Sequence, residues 1–245
     1  MTAGPLTLTV LGCDGSYPGP GGASSGYLVQ YQGASVWLDA GSGTFANLQR
    51  YVAIEDLDAV VITHEHVDHW SDLEHLAVAA RYVVVRDDVP LYCEPDLVSA
   101  MRTASAATVL AWSRIGPGSK LDIGGMTFTF SRTDHPVNTL AVRVDAGGRS
   151  LGYSADSGPE WGLAQLGPGL DLALCEATFL SEREDALGFH MSAKQAGATA
   201  RAAGVAKLVI THLWPRTDRR AAEEEAAASF GGPVHVASIG DRFEV

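Results

Sequence analysis

Residues 60–69 read Val60-Val-Ile-Thr-His-Glu-His-Val-Asp-His69. A run of β-branched apolar residues bounded by polar ones predicts a buried strand, placed here over Leu57–Ile62. The strand runs straight into three histidines and an aspartate within six positions. Imidazole and carboxylate are the ligands that Zn, Fe and Mn ions take. In an extended turn His64 and His66 project to one side and can share an ion. Asp68 and His69, at the start of a helix predicted to run from Asp68 or Ser71 to about Val84, reach a second ion beside it. A polar surface loop is the plain alternative, but the chain has only eight histidines in 245 residues and three of them sit here.

Outward from this stretch, strands are predicted at Leu6–Leu11, Gly26–Tyr31, Ser35–Leu38 and Leu91–Cys93. Others follow at Met126–Ser131, Leu140–Val144, Ser150–Ser154, Leu170–Cys175, Lys207–Ile210 and Val234–Ala237. Helices are predicted from Phe45, over Asp96–Thr103, over Ser192–Ala203 with Gly204 as its stop, and over Asp218–Ser229. The Gly- and Pro-rich stretch Gly12–Gly22 reads as an irregular loop. No linker or low-complexity stretch interrupts residues 1–245, so one α/β domain is expected. The phrase Leu208-Val-Ile-Thr-His212 repeats Val60-Val-Ile-Thr-His64, which points to two similar halves whose strand ends face one site. In α/β sheets functional groups gather beyond the carboxyl ends of strands. By that rule strand ends bring His64, His66, Asp68, His69, His135, Asp156 and His212 to one edge.

The bulk properties narrow the options. A net charge of −12 argues against a general nucleic-acid binder, because a polyanion would be repelled. It says little about a small phosphate ester near bound cations. Cys13, Cys93 and Cys175 are odd in number and lack C-x-x-C spacing, so no disulfide framework is expected. No signal-like N-terminus and no long apolar run stand out, and a cytoplasmic protein without membrane partner is the expectation.

His64-Glu-His66-Val-Asp68-His69 resembles the H-x-H-x-D-H signature of the metallo-β-lactamase superfamily. The opening T-V-L-G-C-D-G-S-Y-P, Leu38-Asp39-Ala-Gly, Ser154-Ala-Asp156-Ser-Gly-Pro and Thr211-His212 resemble its other landmarks, so the likeness covers nearly the whole chain. It implies a four-layer αββα sandwich with the site at one edge, and two divalent ions, zinc first with manganese or iron as alternatives. His64, His66 and His135 would hold one ion, Asp68, His69 and His212 the other, and Asp156 would bridge. Aspartate at the bridging position points away from a true β-lactamase. Cys175-Glu176-Ala-Thr-Phe179 with His190-Met-Ser192-Ala-Lys-Gln resembles the ribonuclease Z-like branch, which implies that Glu176 orients His190 and that His190 protonates the leaving group. Asp68 is then both ligand and catalytic residue.

In that branch a long tRNA-gripping arm lies between the third histidine and the bridging aspartate. Here that interval holds only two strands and a turn, so the arm is absent. The favoured function is hydrolysis of a small phosphodiester, such as a cyclic nucleotide, by a hydroxide activated between two metals. Alternatives are a tRNA 3′-processing endonuclease, a glyoxalase II-like thioesterase and a non-catalytic metal-binding sensor. Ser24, Ser192 and Trp214 are candidate substrate contacts, Gly12–Gly22 a candidate entrance, and Trp70 a core residue. His75, His235 and the Glu223–Glu225 stretch read as structural or surface groups. A homodimer is expected by analogy with the resembled group.

Overall fold

The computed structural model describes residues 4–101, 109–186 and 188–245. In chain order the first half holds β1 (Thr7–Gly12), β2 (Gly26–Tyr31), β3 (Ala34–Ala40), α1 (Thr44–Leu48), β4 (Ala59–Val61), α2 (Leu73–Ala79), β5 (Val89–Cys93), α3 (Pro95–Ala100) and β6 (Leu110–Arg114). The second holds β7 (Lys120–Ile123), β8 (Met126–Arg132), β9 (Leu140–Ala146), β10 (Arg149–Tyr153), β11 (Leu172–Glu176), α4 (Ala193–Ala202), β12 (Lys207–Thr211), α5 (Arg219–Phe230), β13 (Val234–Val236) and β14 (Arg242–Glu244).

Two seven-stranded sheets result, in the orders β14-β1-β2-β3-β4-β5-β6 and β13-β12-β11-β10-β9-β8-β7. The hairpins β2–β3, β7–β8 and β9–β10 turn on Gln32-Gly33, Gly124-Gly125 and Gly147-Gly148, every one of these residues at positive φ. Two successive positive φ values match the right-handed twist of the paired strands, and glycine reaches them without steric cost. Leu8, Val10, Tyr27 and Val29 of the first sheet pack with Met126, Phe128, Val142 and Leu174 of the second in a shared central core. A second core lies between the first sheet and its helices, through Trp37, Val60, Leu73 and Leu76. A third joins the second sheet to α4 and α5 through Ala173, Ile210, Ala196 and Ala222. The four layers are those of the expected αββα sandwich.

The two sheets carry one plan. From β14 to β6, and from β7 to β13, three antiparallel pairings are followed by three parallel ones. This matches β3 with β10, β4 with β11 and β5 with β12. The repeated Val-Ile-Thr-His phrase therefore falls on strands that are not counterparts, since β4 is matched by β11 and not by β12. The halves are similar as expected, but the phrase is out of step with their symmetry.

Other departures are local. The chain after His66 forms a 3-10 turn, Val67–His69, then α2, then a π-helical turn at Ala80–Val84, rather than one helix. The short edge strands β6, β7 and β14 were not foreseen; β6 is exposed from Ala111 to Arg114, and β7 is four residues long with none of them buried. The end of the helix expected over Asp96–Thr103 lies outside the described residues. Glu225, expected in solvent, accepts hydrogen bonds from the Ser181 amide and hydroxyl. Among the described residues no helix is long and apolar enough to cross a membrane.

Candidate metal centre

The strand ends deliver the seven expected ligands to one place. His64, His66, His135 and Asp156 can each turn an N or O atom to within 4.8 Å of the others, and Asp68, His69 and His212 do the same beside them. Asp156 stands between the two groups. Its Oδ2 lies 3.5 Å from His64 Nε2 and 3.9 Å from His135 Nε2, while its Oδ1 lies 3.2 Å from His69 Nε2 and 3.4 Å from His212 Nε2. Asp68 Oδ2 lies 3.3 Å from His212 Nε2 and 3.5 Å from His69 Nε2. His66 presents Nδ1, 3.1 Å from His135 Nε2.

An outward partner holds one ring nitrogen of His64, His69, His135 and His212, which turns the other toward the centre. His69 Nδ1 meets Asp39 Oδ2 at 2.8 Å, and His135 Nδ1 meets the Phe189 carbonyl at 3.0 Å. His64 Nδ1 meets Thr63 Oγ1 at 3.0 Å, and that hydroxyl donates to Asp39. His212 Nδ1 meets Thr178 Oγ1 at 2.9 Å, and that hydroxyl donates to Glu176. With its proton donated, each threonine oxygen must accept, so Nδ1 carries the imidazole proton and Nε2 keeps its lone pair facing the centre. Outer partners of this kind set the tautomer and aim of metal-binding histidines.

The arrangement fits metal ions. Buried His64 Nε2, His69 Nε2 and Asp156 Oδ1 have no hydrogen-bond partner, an expensive state unless something else satisfies them. Mixed imidazole and carboxylate donors suit zinc, manganese or iron. Burial and the neighbouring His69 push His64 down to about 4, and burial lowers His66 and His135, so all three are neutral at pH 7. Burial alone would raise Asp68 and Asp156, but the surrounding histidines outweigh it and hold both carboxylates well below their ordinary range. Burial disfavours a charged His69, yet Asp156, Asp68 and Asp39 together raise it well above an ordinary histidine. The field at the centre therefore favours positive charge.

Beside this set, His190 Nδ1 lies 2.9 Å from Glu176 Oε1, as expected. Glu176 is fully buried and also accepts from the Ser157 and Met191 amides and the Thr178 hydroxyl. Burial works against a charged His190, but the Glu176 carboxylate prevails and pushes it up to about 9. His190 could join Asp156 and His212 in a third ligand group, but its Nδ1 is already committed to Glu176.

Of the candidate substrate contacts, Ser24 and Ser192 are fully buried. The Ser192 hydroxyl caps α4 and donates to Glu184, so it has no face for substrate. The Ser24 hydroxyl is sealed from solvent, and only Trp214 of the three stays partly accessible. Trp70 packs on the second core and donates to the Glu65 carbonyl. The Gly12–Gly22 loop does lie against the centre. The Ser16 amide donates to Asp68 Oδ2 at 2.9 Å, and Trp214 Nε1 donates to Ser16 Oγ at 3.0 Å. A Cβ at Gly15 would run into the His212 carbonyl and ring, so the close approach requires glycine.

Sequence reasoning missed the orienting groups Thr63, Thr178, Tyr27 and Tyr153. The Tyr153 hydroxyl, from the second sheet, donates to Asp39 of the first at 2.9 Å. The Tyr27 hydroxyl, from the first, pairs with Thr211 of the second at 2.7 Å. The two rings meet edge to face, 5.1 Å between centroids. Asp39, Ala155 and His212 adopt left-handed φ of 57°, 51° and 57°, a conformation unusual for such residues and common where a site dictates the backbone.

Comparison with known proteins agrees with this geometry. The family described as "Beta-lactamase superfamily domain" matches residues 34–213. The chain is 31% identical over 239 residues to the probable metallo-hydrolase YhfI of Bacillus subtilis (strain 168), covering 96% of this chain and 98% of that one. The crystal structure of YhfI, a metallo-β-lactamase fold protein, superposes with a TM-score of 0.89 over 98% of this chain and 99% of that one. A ribonuclease Z of Methanopyrus kandleri is 26% identical over 260 residues, covering 92% of this chain and 93% of that one. A diphosphatase of the PhnP family shares the fold, with a TM-score of 0.78 at 20% identity over 98% of each chain. The chain belongs to the β-lactamase superfamily, as a metallo-hydrolase on the metallo-β-lactamase fold.

Proposed function

We propose that this protein is a phosphodiesterase acting on small phosphodiesters through two divalent ions, zinc first among them. The reading is carried by one observation: a histidine held as a proton donor, His190 on Glu176, stands beside two ligand groups with Asp156 between them. His64, His66, His135 and Asp156 would hold one ion, and Asp68, His69, His212 and Asp156 the other. When bound, such a pair of ions supplies a nucleophilic water at neutral pH and neutralises charge on phosphoryl oxygens.

The residues of the chain do the rest. His190, kept protonated by Glu176, gives its proton to the departing alkoxide. A thiolate leaving group needs far less help from an acid, so the Glu176–His190 pair favours an oxygen ester over a thioester. Asp68, fixed by the Ser16 amide, would hold an ion through its carboxylate and orient a water beside it. The β9–β10 connection is the two-residue turn Gly147-Gly148, which leaves no arm for a tRNA. The names of a ribonuclease Z and a diphosphatase among the relatives support phosphoester chemistry.

The test is metal analysis of the purified protein, with turnover of bis(p-nitrophenyl) phosphate measured against S-lactoylglutathione and a precursor tRNA. Cleavage of the phosphodiester alone is the expected result. Preference for the thioester or for tRNA would overturn the reading, and bound metal without turnover of any ester would mark a binding protein.

A further inference from the structure

The floor of the centre is polar, yet its rim is not. His66, Asp68 and His190 keep some accessible surface, while the side chains of His64, His69, His135, Asp156 and His212 are sealed or nearly so. Next to this floor in the chain are large apolar side chains left in solvent: Val67 is 61% exposed, Tyr17 51% and Phe189 43%. All three neighbour the floor in the chain. Val67 lies between His66 and Asp68. Tyr17 follows Ser16, whose amide holds Asp68. Phe189 precedes His190, its carbonyl holds His135, and its ring lies 5.3 Å from the His190 ring and 6.3 Å from the His135 ring.

Exposed apolar groups collected at the mouth of a polar cleft mark a binding surface. Phe189 lies by the His135 and His190 rings, and Tyr17 follows directly on Ser16, whose amide holds Asp68. Neither side chain carries charge. Of the arginines on this side, Arg132 donates to the His135 carbonyl at 3.4 Å, and Arg183 is stacked on Trp214 at 5.5 Å. The phosphate would sit on the floor, and whatever it is esterified to meets aromatic faces.

We infer that Phe189 and Tyr17 form an aromatic clamp that selects phosphodiesters bearing a flat, uncharged ring close to the phosphate. Phe189 adjoins the proton donor, so the ring lies on the leaving-group side, and Phe189 is the stronger of the two contacts. The inference rests on the phosphodiesterase reading for its substrate and on the exposed rim for its chemistry.

Binding separates the two. With the zinc-loaded protein, calorimetric affinities are measured for adenosine 5′-monophosphate and for ribose 5-phosphate, which present the same phosphate with and without the ring. The nucleotide is expected to bind about tenfold tighter or more, the scale of one base stacked on one aromatic side chain. Phe189→Ala should remove most of that preference, Phe189→Tyr should restore it, and Tyr17→Ala should remove a smaller part, with bound zinc unchanged in all three. Equal affinities in the wild type, no measurable binding of either ligand, or a preference that survives the Phe189→Ala, Tyr17→Ala double variant would overturn the clamp. A protein that prefers the nucleotide but cleaves no phosphodiester keeps the clamp and loses the phosphodiesterase reading. One that cleaves bis(p-nitrophenyl) phosphate and binds both ligands equally keeps the reading and loses the clamp.

Discussion

The His64 end and the His212 end of the centre are wired alike and serve different purposes. At the first, buried Asp39 receives the Thr63 hydroxyl, which holds His64, and also meets His69 directly. At the second, buried Glu176 receives the Thr178 hydroxyl, which holds His212, and also meets His190 directly. In each case one carboxylate governs two histidines, one through a threonine. Both dependants of Asp39 are candidate ligands, whereas Glu176 governs one candidate ligand and one candidate acid. The difference teaches that a buried carboxylate does not by itself announce a role. The imidazole it aims, and what that imidazole faces, decides.

The most severe way to break this comparison is to remove what the two ends share. Asp156→Ala should strip more metal than either His64→Ala or His212→Ala. Its loss of turnover should exceed the roughly 10–100-fold that outer partners are worth. Mass-spectrometric metal counts on the three variants decide it, and an Asp156→Ala protein that keeps as much metal as His64→Ala would show that the carboxylate is not shared.

Next in size is the split between the two carboxylates. His190→Ala should lower kcat by about 10²–10⁴-fold with metal retained. Glu176→Gln should lower it less and move the alkaline limb of the rate profile down from about 9 toward the ordinary histidine range. Asp39→Asn should instead cost about 10–100-fold in metal affinity and leave the limb in place. The sign also shows in stability. Because folding raises His190 from 6.5 to about 9, its pairing with Glu176 stabilises the protein fully below about pH 6.5, and that contribution fades as pH rises through about 9.

Smaller still is the exchange of one hydroxyl for a methyl. Thr63→Val and Thr178→Val remove matching links and should each weaken metal binding, by no more than about tenfold. Only Thr178→Val should also alter the pH profile, since Thr178 alone shares a carboxylate with His190. Equal pH profiles in the two variants would erase the proposed contrast.

The smallest effect lies where the halves cross. Tyr153→Phe and Tyr27→Phe each delete one buried hydrogen bond and should cost about 1 kcal/mol of stability in denaturant unfolding. Only Tyr153→Phe should also lower metal affinity, because only Tyr153 touches Asp39.

The candidate ligands were legible because their residue types are restricted and strand ends deliver them. His64 to His69 sit on consecutive turns after β4, and His212 sits directly after β12. The pairing of Glu176 with His190 was legible only through resemblance, since nothing local ties residues fourteen positions apart. The threonine and tyrosine links were not legible, because their meaning arises from sheet register and from contact across the central core. The repeated Val-Ile-Thr-His phrase misled in detail for the same reason, as strand order is set by pairing and not by likeness of strands. Ser24 and Ser192 show the opposite failure: small hydroxyls near a site are as often folded into turns and caps as offered to a ligand.

The shared Asp156 and the split origin of the ligands have a consequence for the fold as a whole. Four of the candidate ligands come from the segment after β4 in the first sheet, and three from strand ends of the second. Ions seated there would fasten the sheets to each other as a non-covalent clasp. A species that binds the folded chain and not the unfolded one stabilises it by mass action, about 2.7 kcal/mol at a free concentration a hundred times its dissociation constant. The melting temperature of this protein should therefore follow the free metal concentration of its surroundings, making the chemistry of the cleft a gauge of how firmly the two halves are held.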